Sequence, residues 1–117
     1  METPSAWLAR VQHDLVKRLL WPARDRRDLG GPVRPGELSV ALTDDEGAPI
    51  GAVALWTRLR AEAPAGASPP SAVLDAFGRA VAVAVAAAEA DDLAGILDLE
   101  TAFGTLSGAV ARGGSGR

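Results

Sequence analysis

The chain has 117 residues, a hydrophobic fraction of 48%, a mean hydropathy of +0.11 and a formal net charge of −3. That composition supports one folded domain and excludes a disordered chain, and the absence of cysteine excludes disulfides, thiolate metal sites and cysteine nucleophiles. The charge is divided, with seven Lys/Arg against four Asp/Glu in residues 1–35 and five against eleven in residues 36–117, so the halves carry about +3 and −6.

Ser5 suits a helix cap. Behind it Leu8, Val11, Leu15 and Leu19 recur at helical spacing, with Arg10, Asp14, Lys17 and Arg18 on the other side. This predicts an amphipathic helix that ends near Leu20, because Pro22 biases Trp21 away from helical geometry. Pro22 can open a short second helix, which Gly30, Gly31 and Pro32 stop. From Glu37 to Thr43 apolar and polar residues alternate, with Leu38, Val40 and Leu42 on one side. The turn residues Asp44–Pro49 follow, and Ile50–Leu59 resumes an apolar run, so the pattern predicts an antiparallel β-hairpin.

Glu62–Pro70 reads as a linker. Ala80–Ala88 carries no charge and no hydrogen-bonding side chain, so it must be packed against its own chain or a second copy. Its alternation of Ala and Val could suggest a strand. Alanine is poor in strands, however, and Leu74, Phe77, Val81, Val85 and Ala88 recur at helical spacing. Beyond a boundary at Asp91–Asp92, Ile96, Leu99, Phe103, Leu106 and Val110 repeat at three, four, three, four, the seam of a helix packing at a shallow angle. The expected fold is therefore α+β: an N-terminal amphipathic helix, a short helix, a hairpin, and two Ala-rich helices packed as an antiparallel pair. One domain covers residues 1–112, and a flexible tail covers 113–117.

No catalytic constellation emerges. His13 and Asp14 are neighbours in sequence and diverge on a regular helix. Asp44, Asp45 and Glu46, like Asp91, Asp92 and Asp98, lack the spacing of a calcium loop and read as turn and cap residues. Gly30–Gly31 precedes no helix and offers no phosphate loop. No cofactor, metal or small-molecule substrate is expected. No signal peptide is apparent, and Asp75, Arg79, Glu89 and Asp91 interrupt any run of the roughly 18 apolar residues that a membrane span needs. The expectation is a cytoplasmic protein with no membrane role.

Only five aromatic residues are present, and an alanine-rich core buries little area per residue. The leading expectation is a non-enzymatic interaction, assembly or adaptor module, forming a homo-oligomer or joining a larger protein partner. Its self-association would run through Ile96, Leu99, Phe103, Leu106 and Val110, with Val81 and Val85. The second is a nucleic-acid-binding regulator. It would use Lys17, Arg18, Arg24, Arg26, Arg27 and Arg34 with Trp21, the tryptophan expected near the surface, although Asp25 and Asp28 interleave with these arginines.

Overall fold

The structure is a computed structural model that describes residues 2–67 and 69–115, with side chains as far as residue 112. Its described residues form five α-helices: α1 (Pro4–Val11), α2 (Lys17–Leu29), α3 (Ala52–Ala61), α4 (Ser71–Glu89) and α5 (Leu93–Ser115). The α+β expectation is corrected, because the fold is helical and the described residues contain no strand. The tail assigned to 113–117 falls on residues whose side chains, and for 116–117 also the backbone, lie outside the described part.

Thr3, not Ser5, caps α1: its hydroxyl accepts from the Ala6 N–H at 3.1 Å, and Pro4 takes the first helical position. A π-helical turn, Gln12–Val16, joins α1 to α2. The buried residues Trp7, Val11, Leu15, Leu19 and Ala23 explain what this turn does. They recur every four residues, and at about 100° per residue a regular α-helix would let that stripe drift by about 160°. The wider π turn takes up part of the drift and keeps both ends of the stripe on the core.

The helix does not end at Leu20. It passes through Pro22 and stops at Gly30, whose φ of +67° suits glycine and whose N–H donates to the Arg26 carbonyl. Proline removes one helical hydrogen bond. Burial of Leu19, Leu20 and Ala23 on either side of it, with α2 packed on α5, overrides that local preference.

The hairpin fails in an instructive way. Leu38 and Leu42 are buried while Ser39, Ala41 and Thr43 are exposed, so the alternation is real. Yet one isolated bridge, Thr43 to Pro49, is all that forms. The turn itself is well made: Asp44 Oδ1 accepts from the N–H groups of Glu46 and Ala48, both at 2.9 Å. After it the chain coils into α3, because Ala52, Leu55, Trp56 and Leu59 are spaced three, one, three and form one buried face. Arg58 and Arg60 sit favourably in its last turn.

Four of the five aromatic residues run through the core in a chain. Trp7 and Trp56 lie 6.4 Å apart, Trp56 and Phe77 4.7 Å, and Phe77 and Phe103 6.3 Å. The Trp7 indole N–H donates to the Leu59 carbonyl at 2.8 Å, joining α1 to the end of α3. Ala80–Val85 lies within α4. Helices α4 and α5 form a close hairpin through residues 90–92, and Asp92 Oδ1 accepts from the Gly95 N–H at the start of α5. Asp91 has a φ of +53°, and its carboxylate accepts from the N–H groups of Gly36 and Leu38, tying the turn at residues 35–38 to the connection between α4 and α5.

Candidate functional site

The residues expected to bind a second copy mostly face inward. Ile96, Leu99, Leu106 and Val81 are 0% exposed, Val110 is buried, and Val85 and Phe103 are half-buried. The seam is thus used within the chain, against α4 and the N-terminal helices, and these side chains could meet a second copy only if the fold opened. A repeat of three and four residues marks a packed face without saying whose chain packs on it.

The basic group is dispersed by pairing, largely with the acidic half. Arg24 donates to Glu100 from Nε at 3.0 Å and from Nη2 at 2.5 Å. Arg26 Nε lies 3.3 Å from Glu37, and its Nη2 donates to the Pro32 carbonyl. Arg18 reaches the Thr43 hydroxyl at 3.4 Å, and Arg27 lies 4.0 Å from Asp28. Lys17 and Arg34 are exposed and have no ion-pair partner among the described residues. Trp21 is 56% exposed.

The hydrogen bonds from Arg24 hold the Glu100 carboxyl below its ordinary range, and the same bonds hold the guanidinium above its own. A lowered carboxylate contributes stability that is complete above its unfolded pKa of about 4.3 and is lost as pH falls through the folded value. Glu100→Gln is therefore expected to flatten the fall of Tm in acid, in melts taken from about pH 7 down to about pH 3. Asp44, lowered chiefly by the Ala48 N–H, titrates in both proteins and leaves a residual slope. Parallel wild-type and variant profiles would show that the pair contributes nothing.

His13 and Asp14, expected to diverge, come within 3.2 Å in the π turn. The pair is exposed, and among the described residues no hydroxyl is recorded in hydrogen-bond contact with it. Among the described residues no group of three His, Asp or Glu could hold a metal.

Three concave surfaces stand out. One, of about 170 Å³, is lined by Leu19, Leu42, Ile50 and Val85 among others, and two more lie between helices. The first of these is a slot of about 140 Å³ between α2 and α5 that gathers Lys17, Trp21 and Arg24 from the basic group and Phe103 from the seam. Gly104, which sequence reasoning credited with a close backbone approach and not with a site, lines the slot beside Phe103, and a Cβ there would meet nothing within 4 Å. The second is a shallow groove of about 580 Å³ between α3 and α4, lined by Val53, Trp56, Thr57, Arg79 and Ala82, with the Arg60–Asp75 pair among its walls. Val53 and the nearby Val83 are 48% and 57% exposed. Apolar surface is unusually available here. By length and hydropathy alone, and contrary to expectation, Ser71–Glu89 and Leu93–Arg112 would each suffice to cross a membrane, at mean hydropathies of 1.6 and 1.2. No protein-family model matches the chain, and no curated protein or solved structure matches it.

Proposed function

We propose that the chain is a non-enzymatic assembly module that self-associates through the outer face of α3 and α4. The observation that carries this reading is the exposure of two valines, Val53 in the open groove and Val83 one helical turn beyond the groove residue Arg79 on α4. Burying isolated apolar groups of that size removes them from water at roughly 25 cal/mol per Å². The surrounding charges support a second copy as the occupant. Arg79 and Glu89 are both exposed and have no ion-pair partner among the described residues. They lie ten residues apart, about 15 Å along the helix. An antiparallel, two-fold pairing of α4 with its copy sets each Arg79 beside the other chain's Glu89, the self-complementary pattern of a closed dimer.

Native mass by light scattering on a sizing column tests this. The expected result is a dimer at tens of micromolar protein that persists at high salt. Val83→Asp, at an exposed position, is expected to give a monomer of unchanged helical content. A strict wild-type monomer overturns the reading. Nucleic-acid binding through Lys17–Arg34 is less well supported, since Arg24 and Arg26 already hold carboxylates and phosphate would have to displace them.

A further inference from the structure

We propose that the slot between α2 and α5 is a binding site for a small monocarboxylate bearing a benzene-sized apolar body. Its volume of about 140 Å³ is close to the cavity of about 150 Å³ that suffices to hold benzene in an engineered protein core. The apolar part of the lining is supplied by the side chains of Val16, Leu20 and Phe103. Trp21 lies at the mouth and offers an indole on which a ring can pack.

The charge of the lining selects the ligand's head group. Arg24 and Glu100 neutralise each other, which leaves Lys17 as the one charge in the slot without a counter-ion among the described residues. The site therefore carries a single net positive charge and suits a single carboxylate, with the Lys17 ammonium able to make a charge-assisted hydrogen bond.

Gly104 points independently to an occupant. Glycine inside a helix is unfavourable relative to alanine, so a helical glycine calls for a reason. Gly78 and Gly95 have one: a Cβ at Gly78 would lie 2.9 Å from the Trp56 indole, and one at Gly95 would lie 2.7 Å from the Ala87 Cβ. At Gly104 a Cβ would meet nothing within 4 Å. No contact within the fold calls for glycine there, and Gly104 is part of the slot's lining. On the facing side, the π turn that keeps the buried stripe on the core also places Gln12 and Val16 in the slot's wall.

The test is a titration of isotopically labelled protein with phenylacetate, followed by amide and indole resonances, beside phenylacetamide (same body, no charge) and acetate (same charge, no body). The expected result is saturable shifts of the Gly104 amide and the Trp21 indole, with the Trp7 and Trp56 indoles unmoved. Phenylacetamide is expected to bind about tenfold more weakly, and acetate not to saturate. Gly104→Leu, which fills the slot from a helix-favouring position, is expected to abolish the shifts. Lys17→Gln, at an exposed site, is expected to erase the preference for phenylacetate over its amide and keeps the test decisive if the leucine variant folds poorly. Absence of saturation at tens of millimolar phenylacetate overturns the proposal. So does equal affinity for the amide, or wild-type binding by a folded Gly104→Leu.

Discussion

Trp56→Ala is expected to destabilise the fold by about 3–5 kcal/mol, seen as a lower urea midpoint at unchanged m-value. Trp56 is 3% exposed and stands in the middle of the aromatic chain, between Trp7 and Phe77. Its indole also lies against Gly78, so that with the Arg60–Asp75 pair it joins α3 to α4. A truncated tryptophan leaves a void beside Phe77 and Gly78, and glycine has no side chain to extend into it. The void should persist, which puts the loss at the upper end of that range. For a domain with a typical stability of about 5–15 kcal/mol, one substitution would remove a large share of the total. Trp56→Phe keeps a ring against Phe77 and should lose much less. A loss below about 1 kcal/mol for the alanine variant would mean that the aromatic chain does not hold α3 in place.

The same region shows where sequence reasoning succeeded and where it failed. The four residues that bury α3, Ala52, Leu55, Trp56 and Leu59, are a helical pattern inside an apolar run that its place after the Asp44–Pro49 turn assigned to a strand. The run is apolar on both sides of a two-residue repeat, a mark against a half-buried strand, but ten residues are too few for periodicity alone to decide. The preceding segment misled for a different reason. Leu38 and Leu42 turn inward while Ser39 and Thr43 turn outward, yet residues 35–38 form a turn whose Gly36 and Leu38 N–H groups are held by the Asp91 carboxylate, and no second strand pairs with the segment among the described residues. Alternating burial records which side chains reach the core, not the presence of a ladder. Pro22 is a third case, where burial on both sides of a proline prevailed over its local preference.

At the candidate sites the balance was similar. Lys17, Trp21 and Arg24 were identifiable from the sequence, since a tryptophan before a proline and beside cations points to a surface without tertiary information. Their partners were not. Glu100 and Phe103 lie far along the chain, and only the packing of α2 on α5 brings them to the slot. Gly104 carried a readable signal as a glycine inside a predicted helix. It stood among other glycines, however, and only the structure separates Gly78 and Gly95, where a Cβ would collide, from Gly104, where it would not.

That separation makes Gly95→Ala the sharper experiment. In an unencumbered helix, glycine to alanine gains about 1 kcal/mol, and at Gly104, with open space, the gain is expected. At Gly95 the new Cβ would stand 2.7 Å from the Ala87 Cβ and 3.2 Å from the Asp92 carboxylate. Helices α4 and α5 are joined by only residues 90–92 and cannot separate there without disturbing the Asp92 cap and the Asp91 contacts. The expected result is a net loss of about 1–3 kcal/mol by overpacking, with the opposite sign to the Gly104 variant. Ala87→Gly in the same chain removes the opposing methyl, so the double variant should be more stable than the sum of the two single changes predicts. A coupling of about 1–2 kcal/mol in that cycle would localise the clash to this pair. If Gly95→Ala instead raised Tm as Gly104→Ala is expected to do, the α4–α5 hairpin would be more loosely packed than its geometry implies. The turn through Asp91 and Asp92, not the contact of the helix faces, would then be what fixes its register.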